Sequence, residues 1–460
     1  MIRLMKLDIV SLILNPFILI FITIELGMLL AKIKWRRFTF GLSNCLFVGL
    51  LVGWGIYKFS QQLLSINSEH NKAAQIIKTG VISQDFFNLF LIIFIASVGL
   101  LASRDLGKII RKYGYKFIIL GFLITFTGAV ATYGMAVLFP EKNSWEITGV
   151  YTGALTSSPG LAAALESVHQ HSSQLVENFS HLSEREKKKI LKTIKDDVEK
   201  PSELLGELNN NQKEQFIKSA EAGVGLGHSI GYPFGVLVVI LAVHLIPCIF
   251  KLDLVREREI FLREMKEEEK RIIKIGKEST GFDLLAFMVV CFLGYFLGEI
   301  KLNLGALGFF SLGSTGGVLL ISLVLGHIGK IGIINFRMNH NILGIIREVS
   351  LAFFLAIVGL RYGYYVFSAL TSSGIYLAII SLIVGLMAVL IGYLVGRYIF
   401  RLNWVILAGA ICGGMTSTPG LGAAIEAIGN DDPAAGYGAI YPFALLGMVI
   451  FSILLHILPL

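Results

Sequence analysis

Charge is what this chain has least of. Charged residues fill 16% of its 460 positions, where a soluble domain carries about 25%. Several runs of about 20 residues hold almost none, the length a helix needs to span a bilayer. Cysteine is scarce as well: Cys45, Cys248, Cys291 and Cys412 are the four. All lie in apolar stretches and none forms a C-x-x-C pair. That excludes a disulfide framework and a cysteine zinc site, and leaves buried, reduced thiols as the expectation. There is no H-E-x-x-H, no Ser/His/Asp arrangement and no cluster of metal ligands. An enzyme therefore has little support, and neither a metal nor a cofactor is expected. No cleavable signal is evident, since the apolar core of 1–33 is too long for one and lacks a small-residue cleavage site.

What the chain has is apolar length. Hydrophobic residues make up 55% and glycine accounts for 49 positions; both close helix packing and broken membrane helices use glycine. The expected class is an all-α polytopic membrane protein, with the bilayer as its first partner. The net charge of +8 then bears on orientation in the membrane, not on nucleic acid. Ten apolar spans are read, at 9–31, 40–57, 86–103, 117–139, 223–249, 282–300, 310–328, 349–368, 374–399 and 435–458.

One stretch occurs twice. Residues 153–166 read GALTSSPGLAAALE and 413–426 read GGMTSTPGLGAAIE, with nine of fourteen paired positions identical at an offset of 260. The same offset pairs FIASVGL (Phe94–Leu100) with FLAIVGL (Phe354–Leu360). Tyr232-Pro233-Phe234 recurs as Tyr441-Pro442-Phe443, each with a glycine five residues earlier, Gly227 and Gly436. LGMLLAKIK (26–34) resembles LGYFLGEIK (293–301), and HLIP at 244–247 resembles HILP at 456–459. The chain reads as a duplication: a first membrane repeat over 1–250 with a polar helical insert at 167–222, a cytoplasmic amphipathic linker at 251–280, and a second repeat over 281–460.

The duplicated segments, at about 147–166 and 404–428, are apolar but interrupted by Thr-Ser-Ser/Thr-Pro-Gly. Proline removes a backbone donor and glycine loosens a helix. Each segment is therefore expected to be a re-entrant helical hairpin turning at that group. With the N-terminus outside, the inside segments hold 23 Lys and Arg and the short outside ones 8, as the positive-inside rule asks. Letting 147–166 cross instead would place the nine Lys and Arg of 251–280 outside. Five spans plus one hairpin per half make the halves inverted repeats, with the two tips approaching near the midplane.

A helix restarting after Pro-Gly presents free amides and a positive dipole end, which suit an anion. The expected substrate-binding residues are Thr156, Ser157, Ser158, Pro159 and Gly160 with Thr416, Ser417, Thr418, Pro419 and Gly420. Arg361 could pair a carboxylate bidentately; the other reading is a snorkelling interfacial arginine. Glu25, Glu166 and Glu426 are candidates for proton or cation coupling, since a carboxylate at bilayer depth needs a partner or a task. For Glu166 and Glu426 the alternative is a position in headgroup water; for Glu25 it is pairing with a lysine or a place near the end of its span. His228 is either a titrating group or a hydrogen-bonded structural one. Asn15-Pro16 breaks the first span, as a kink or as the wall of a cavity. In the insert, Ser183 with Glu186 forms a capping box opening a helix to about Glu199, and Ser202 could cap a second after Pro201.

The paired TS(S/T)PGL segments, the FIASVGL/FLAIVGL pair and the two YPF segments resemble the aspartate–alanine exchanger family of secondary transporters. That resemblance implies ten membrane helices, termini outside, a cytoplasmic central segment, and exchange of amino acids or dicarboxylates without ATP. Many members carry a large pair of regulatory domains between the halves; here only 251–280 lies there, and 167–222 is an unusual insertion. The reading is an inner-membrane antiporter of small anionic carboxylates in a bacterium, working by alternating access, with a homodimer among the assemblies it allows. The alternatives are a proton- or sodium-coupled carboxylate transporter and a membrane sensor that binds without flux.

Overall fold

A computed structural model describes residues 9–32, 41–66, 71–140, 142–194, 208–269, 281–300, 302–303, 309–310, 312–371 and 374–457. It is almost wholly helical. The first half contains α1 (Ile9–Ile13), α2 (Pro16–Ala31), α3 (Asn44–Ile66), α4 (Asn71–Thr79), α5 (Gln84–Leu138), α6 (Ser144–Ala154), α7 (Ser158–Glu177), α8 (Glu184–Thr193) and α9 (Asn210–Ile249). α10 (Leu254–Glu269) follows, within the segment expected to be a linker. The second half contains α11 (Leu284–Glu299), α12 (Gly313–Ile328), α13 (His340–Thr371), α14 (Ile375–Leu394), α15 (Trp404–Gly414), α16 (Thr418–Ile428) and α17 (Pro433–Ile457). Two short antiparallel ladders join Leu302–Asn303 to Phe309–Phe310 and Lys330–Ile331 to Ile334–Asn335.

Among the described residues, seven stretches are long and apolar enough to cross a membrane: Gly41–Ile66, Gln84–Ser103, Ile109–Leu138, Asn210–Ile249, His340–Ser368, Ile375–Ile399 and Pro433–His456. The other three expected spans are the shorter apolar helices α2, α11 and α12. This is a multi-pass membrane protein.

Several local expectations need correcting. The segment 103–116 was expected to be a loop between two spans, yet α5 is helical from Gln84 to Leu138. It contains no proline and only Gly107 and Gly114 to weaken the helix, and its five Lys and Arg residues are good helix formers. Asn15 does more than kink the first span: its side chain accepts the Phe17 amide at 2.9 Å, ending α1 and capping α2. The Ser183/Glu186 capping box is present, but α8 stops at Thr193; Pro201 and Ser202 lie outside the described residues. Cys45 and Cys412 are buried and Cys291 half-buried, whereas Cys248, near the end of α9, faces outward.

Backbones touch wherever glycines line up, as close packing in lipid requires. On α3 and α13 the facing glycines are Gly49 and Gly53 with Gly359 and Gly363; a Cβ at Gly363 would lie 2.1 Å from the Leu50 carbonyl oxygen. The first arm of each broken segment is seated the same way. Gly149 and Gly153 of α6 abut Val224, His228 and Tyr232 of α9, and Gly409 and Gly413 of α15 abut Pro433 and Tyr437 of α17. Val176, Phe179, Ile190, Ile194, Leu208 and Phe216 make a separate small core, against which Trp145 at the start of α6 packs.

These seams make a sharp expectation. Gly363→Ala should cost about 1–3 kcal/mol or more, because its methyl meets a backbone carbonyl that cannot turn aside. Gly55→Ala, on the same pair of helices but with nothing within 4 Å, should be neutral or gain up to about 1 kcal/mol. Thermal melts of the two variants in detergent test this; equal melting temperatures would refute the seam.

Candidate functional site

The two interrupted segments break where Thr-Ser-Ser/Thr-Pro-Gly stands. α6 ends at Ala154 and α7 begins at Ser158; α15 ends at Gly414 and α16 begins at Thr418. Each first arm has 11 residues, about 16 Å of helix, or half of a roughly 30 Å hydrocarbon core.

Both turns are built alike. The Ser157 amide reaches back to the Thr152 carbonyl at 2.8 Å and the Thr156 amide to that of Gly153 at 2.8 Å. In the second copy, Ser417 bonds Cys412 at 2.8 Å and Thr416 bonds Gly413 at 3.0 Å. This is the Schellman arrangement, whose left-handed position is normally glycine. Here it is threonine, Thr156 at φ 54° and Thr416 at φ 51°. A β-branched residue there is a backbone outlier costing about 1–3 kcal/mol, held only if the surroundings demand it.

The demand is visible in the hydroxyls. Thr156 Oγ1 donates to the Met415 carbonyl at 3.2 Å, and Thr416 Oγ1 donates to the Leu155 carbonyl at 3.1 Å. Each tip completes the other's turn. Leu155 and Met415 are the last residues before their turns, so their carbonyls have no partner within their own helices. Both threonines are buried, at 5% and 4% exposure.

Past the turns the helices restart. Ser157 accepts the Gly160 amide at 3.1 Å and Ser417 accepts that of Gly420 at 3.2 Å. Pro159 and Pro419 have no amide to offer. Of the free donors expected at each tip, those at the first helical position, Ser158 and Thr418, are left by the cap. Ser158 is exposed while Thr418 is 5% exposed, and Thr418 Oγ1 lies 3.5 Å from Tyr437 Oη. The glycines are steric necessities: a Cβ on Gly160 would come 2.8 Å from Ser157 Oγ, and one on Gly420 would come 2.8 Å from the Val239 methyls.

Around the second tip the structure gathers rings that the sequence reading left scattered. Tyr437 and Tyr441 sit on α17 with centroids 5.4 Å apart, and His228 and Tyr232 sit likewise on α9 at 5.6 Å. Tyr232 stacks on Tyr362 at 4.7 Å and lies within electrostatic reach of Arg361 and Tyr441. His228 Nδ1 is 3.0 Å from Thr152 Oγ1, one turn before the first tip. Aligning the two YPF segments places Tyr437 opposite His228; that register was the signal for Tyr437.

Arg361 is half-buried on α13, and its Nη1 donates to the Ile82 carbonyl at 2.6 Å. Glu426 accepts the Leu42 amide at 2.7 Å and lies 3.5 Å from Ser43 Oγ, at the turn leading into α3. A cavity of 380 Å³ opens beside it, lined by Leu42, His340, Arg347, Glu348, Glu426 and Asp431. Arg347 pairs with Asp431, whose carboxylate also lies 3.4 Å from His340 Nε2. Glu25 is on an exposed face of α2. The backbone of Glu166 is in α7, but its side chain, like that of Pro159, lies outside what is described.

The Asp-Al_Ex family, described as a predicted permease membrane region, matches residues 19–248 and 286–457. Similar curated proteins include an uncharacterized transporter of Desulfotalea psychrophila, 23% identical over 555 aligned positions covering 98% of each chain. An uncharacterized transporter of Bacteroides thetaiotaomicron is 32% identical over 176 residues, 38% of this chain and 33% of that protein. One of Rhodopirellula baltica is 38% identical over 165 residues, 36% of this chain and 30% of that protein.

The crossed hydroxyls carry a prediction. Thr156→Val or Thr416→Val keeps the β-branch but leaves a buried carbonyl unpaired, so each should lose about 1–3 kcal/mol, whereas Thr→Ser at either position should retain most of it. Melting of the purified variants would decide; valine and serine variants melting alike would show the hydroxyls to be idle.

Proposed function

The chain belongs to the Asp-Al_Ex permease family, and from that premise we propose that it is a secondary transporter exchanging small carboxylates by alternating access. The observation that carries the reading is the meeting of two helix breaks, tip to tip, inside an apolar bundle. Irregular backbone at membrane depth is tolerated where it is buried in protein or lines a water-filled cavity. Helix N-terminal ends aimed at such a place suit a carboxylate. Ser158 and Thr418 offer the amides, and Ser157, Ser417, Thr156 and Thr416 the hydroxyl framework that holds them. Arg361, beside the Tyr232–Tyr362 stack, supplies the fixed positive charge, and its offset partner Leu101 supplies none. A ligand with unlike ends fits such an asymmetric pair.

In this reading the halves 1–250 and 281–460 are inverted repeats, the hairpins enter from opposite faces, and both termini lie outside a bacterial inner membrane. The difference between exposed Ser158 and buried Thr418 is what one inward- or outward-open state of such a cycle would present. An opposing substrate gradient supplies the driving force, so the exchange itself calls for no cofactor. A coupled transporter is the second reading. It is favoured by Glu426, which touches the turn into α3 and borders the 380 Å³ cavity.

Counterflow in proteoliposomes separates these. Aspartate counterflow without any cation gradient is the result expected of exchange; strict dependence on a proton or sodium gradient would select the coupled reading. Saturable binding with no flux would select a sensor. Pro159→Ala/Gly160→Ala and Pro419→Ala/Gly420→Ala should each abolish counterflow while the protein still inserts; unchanged uptake in both would defeat the tip site. Arg361→Gln should weaken a dicarboxylate more than alanine, and equal loss for the two would remove Arg361 from the ligand.

A further inference from the structure

The linker between the halves is more than a tether. α10 turns one face, Glu257, Phe261, Glu264 and Met265, toward the bundle, and Phe261 and Met265 are buried at 1% and 6% exposure. The two carboxylates share that face, seven residues apart, Glu257 before Phe261 and Glu264 between Phe261 and Met265. Glu257 is itself 5% exposed, and a carboxylate so buried is held only where its charge is paired and its oxygens bonded.

Glu257 meets both needs on a single short stretch. It takes Arg397 bidentately, at 2.6 and 3.0 Å, and accepts the Trp404 backbone amide at 2.7 Å. Trp404 is the first residue of α15, so Glu257 reaches the amide end of the second hairpin's first arm, where a negative charge also meets the helix dipole favourably. Glu264 accepts the Asn403 Nδ2 at 2.8 Å and the Tyr113 hydroxyl at 2.6 Å, and pairs with Lys112 at 3.4 Å. Asn403 in turn caps α15 through the Ile406 amide at 3.1 Å. Lys116 closes the joint from α5, donating to the Phe400 carbonyl at 2.9 Å. Two acidic side chains of the linker thus bind the foot of α15 to the middle of α5. From that foot α15 runs as one fully buried arm to Met415 and Thr416, the tip residues of the crossed bonds.

We infer that Glu257 and Glu264 are positioning residues, through which the inter-half linker holds the foot of α15 and so controls how readily the second hairpin moves. A rigid helical arm pinned at one end transmits displacement at Trp404 to Thr416, and releasing the pin frees both. The control of transport rate rests on the proposal that the tips bind substrate; the control of hairpin motion does not.

Cys412, fully buried on α15, is a natural reporter. In a chain retaining it as the single cysteine, reconstituted in proteoliposomes, Glu257→Gln/Glu264→Gln should speed its reaction with a small methanethiosulfonate several-fold. The same double substitution in a cysteine-free chain carrying Ser60→Cys, buried on α3 away from the joint, should leave labelling unchanged. Glu264→Asp should restore slow Cys412 labelling, and the maximal rate of counterflow should change in step with it. Unchanged Cys412 labelling would overturn the inference. So would parallel rises at both cysteines, which would mean general loosening. If the double variant does not fold, Glu264→Gln alone serves, read by the same two thiols. A protein showing no counterflow at all would count against the exchange reading and leave the labelling result standing.

Discussion

Everything at the centre of this molecule depends on two hydroxyl groups exchanged between two turns. Thr156 and Thr416 occupy a backbone conformation that suits glycine, and glycine would relieve the strain at once. It would also strip each tip of the donor that satisfies the carbonyl across from it. The strain is therefore informative: its sign says that the contact between the tips outweighs the comfort of either turn alone. Because the bonds are reciprocal, neither tip is complete without the other, and the breaks in the two helices are one feature.

Around that contact the glycine seams act as bearings. Where α6 meets α9 and α15 meets α17, backbones approach so closely that a single methyl would collide. Such surfaces are flat and held by many weak contacts, not by a few strong bonds. Each arm is also anchored where it starts: Trp145 packs against the apolar core that includes Phe179 and Phe216, and the α10 carboxylates hold Asn403 and Trp404. The first joint combines apolar packing with a Tyr376–Glu146 hydrogen bond, the second is dominated by charged contacts, so the two arms are held by different means.

How much of this could be read in the residues depends on the range of the interaction. Broken helices at Thr156 and Thr416 were legible because proline, glycine and the repeated register act locally. Left-handed threonine was not, since nothing in a single copy says which residue takes positive φ until the opposing carbonyl is in place. The expected array of free amides shrank for a local reason that was readable: a serine one residue before Ser/Thr-Pro-Gly is placed to cap its own helix. Arg361 was seen as a charge near the second hairpin, but Ile82 as its partner comes from a loop 279 positions away. Tyr113 and Asn403 meet Glu264 only through tertiary packing, and no spacing announces them. The unbroken α5 was misjudged because a run of charge was weighed as a boundary when its helix-forming residues offered no break.

The crossed threonines also constrain how the protein is made. Leu155 leaves the ribosome 260 residues ahead of Met415, which at a synthesis rate of about 5–20 residues per second is a wait of roughly 10 to 50 s. Throughout that interval the Thr416 hydroxyl that will meet the Leu155 carbonyl does not yet exist. The joint at the middle of the fold can therefore close only once the second tip has been made.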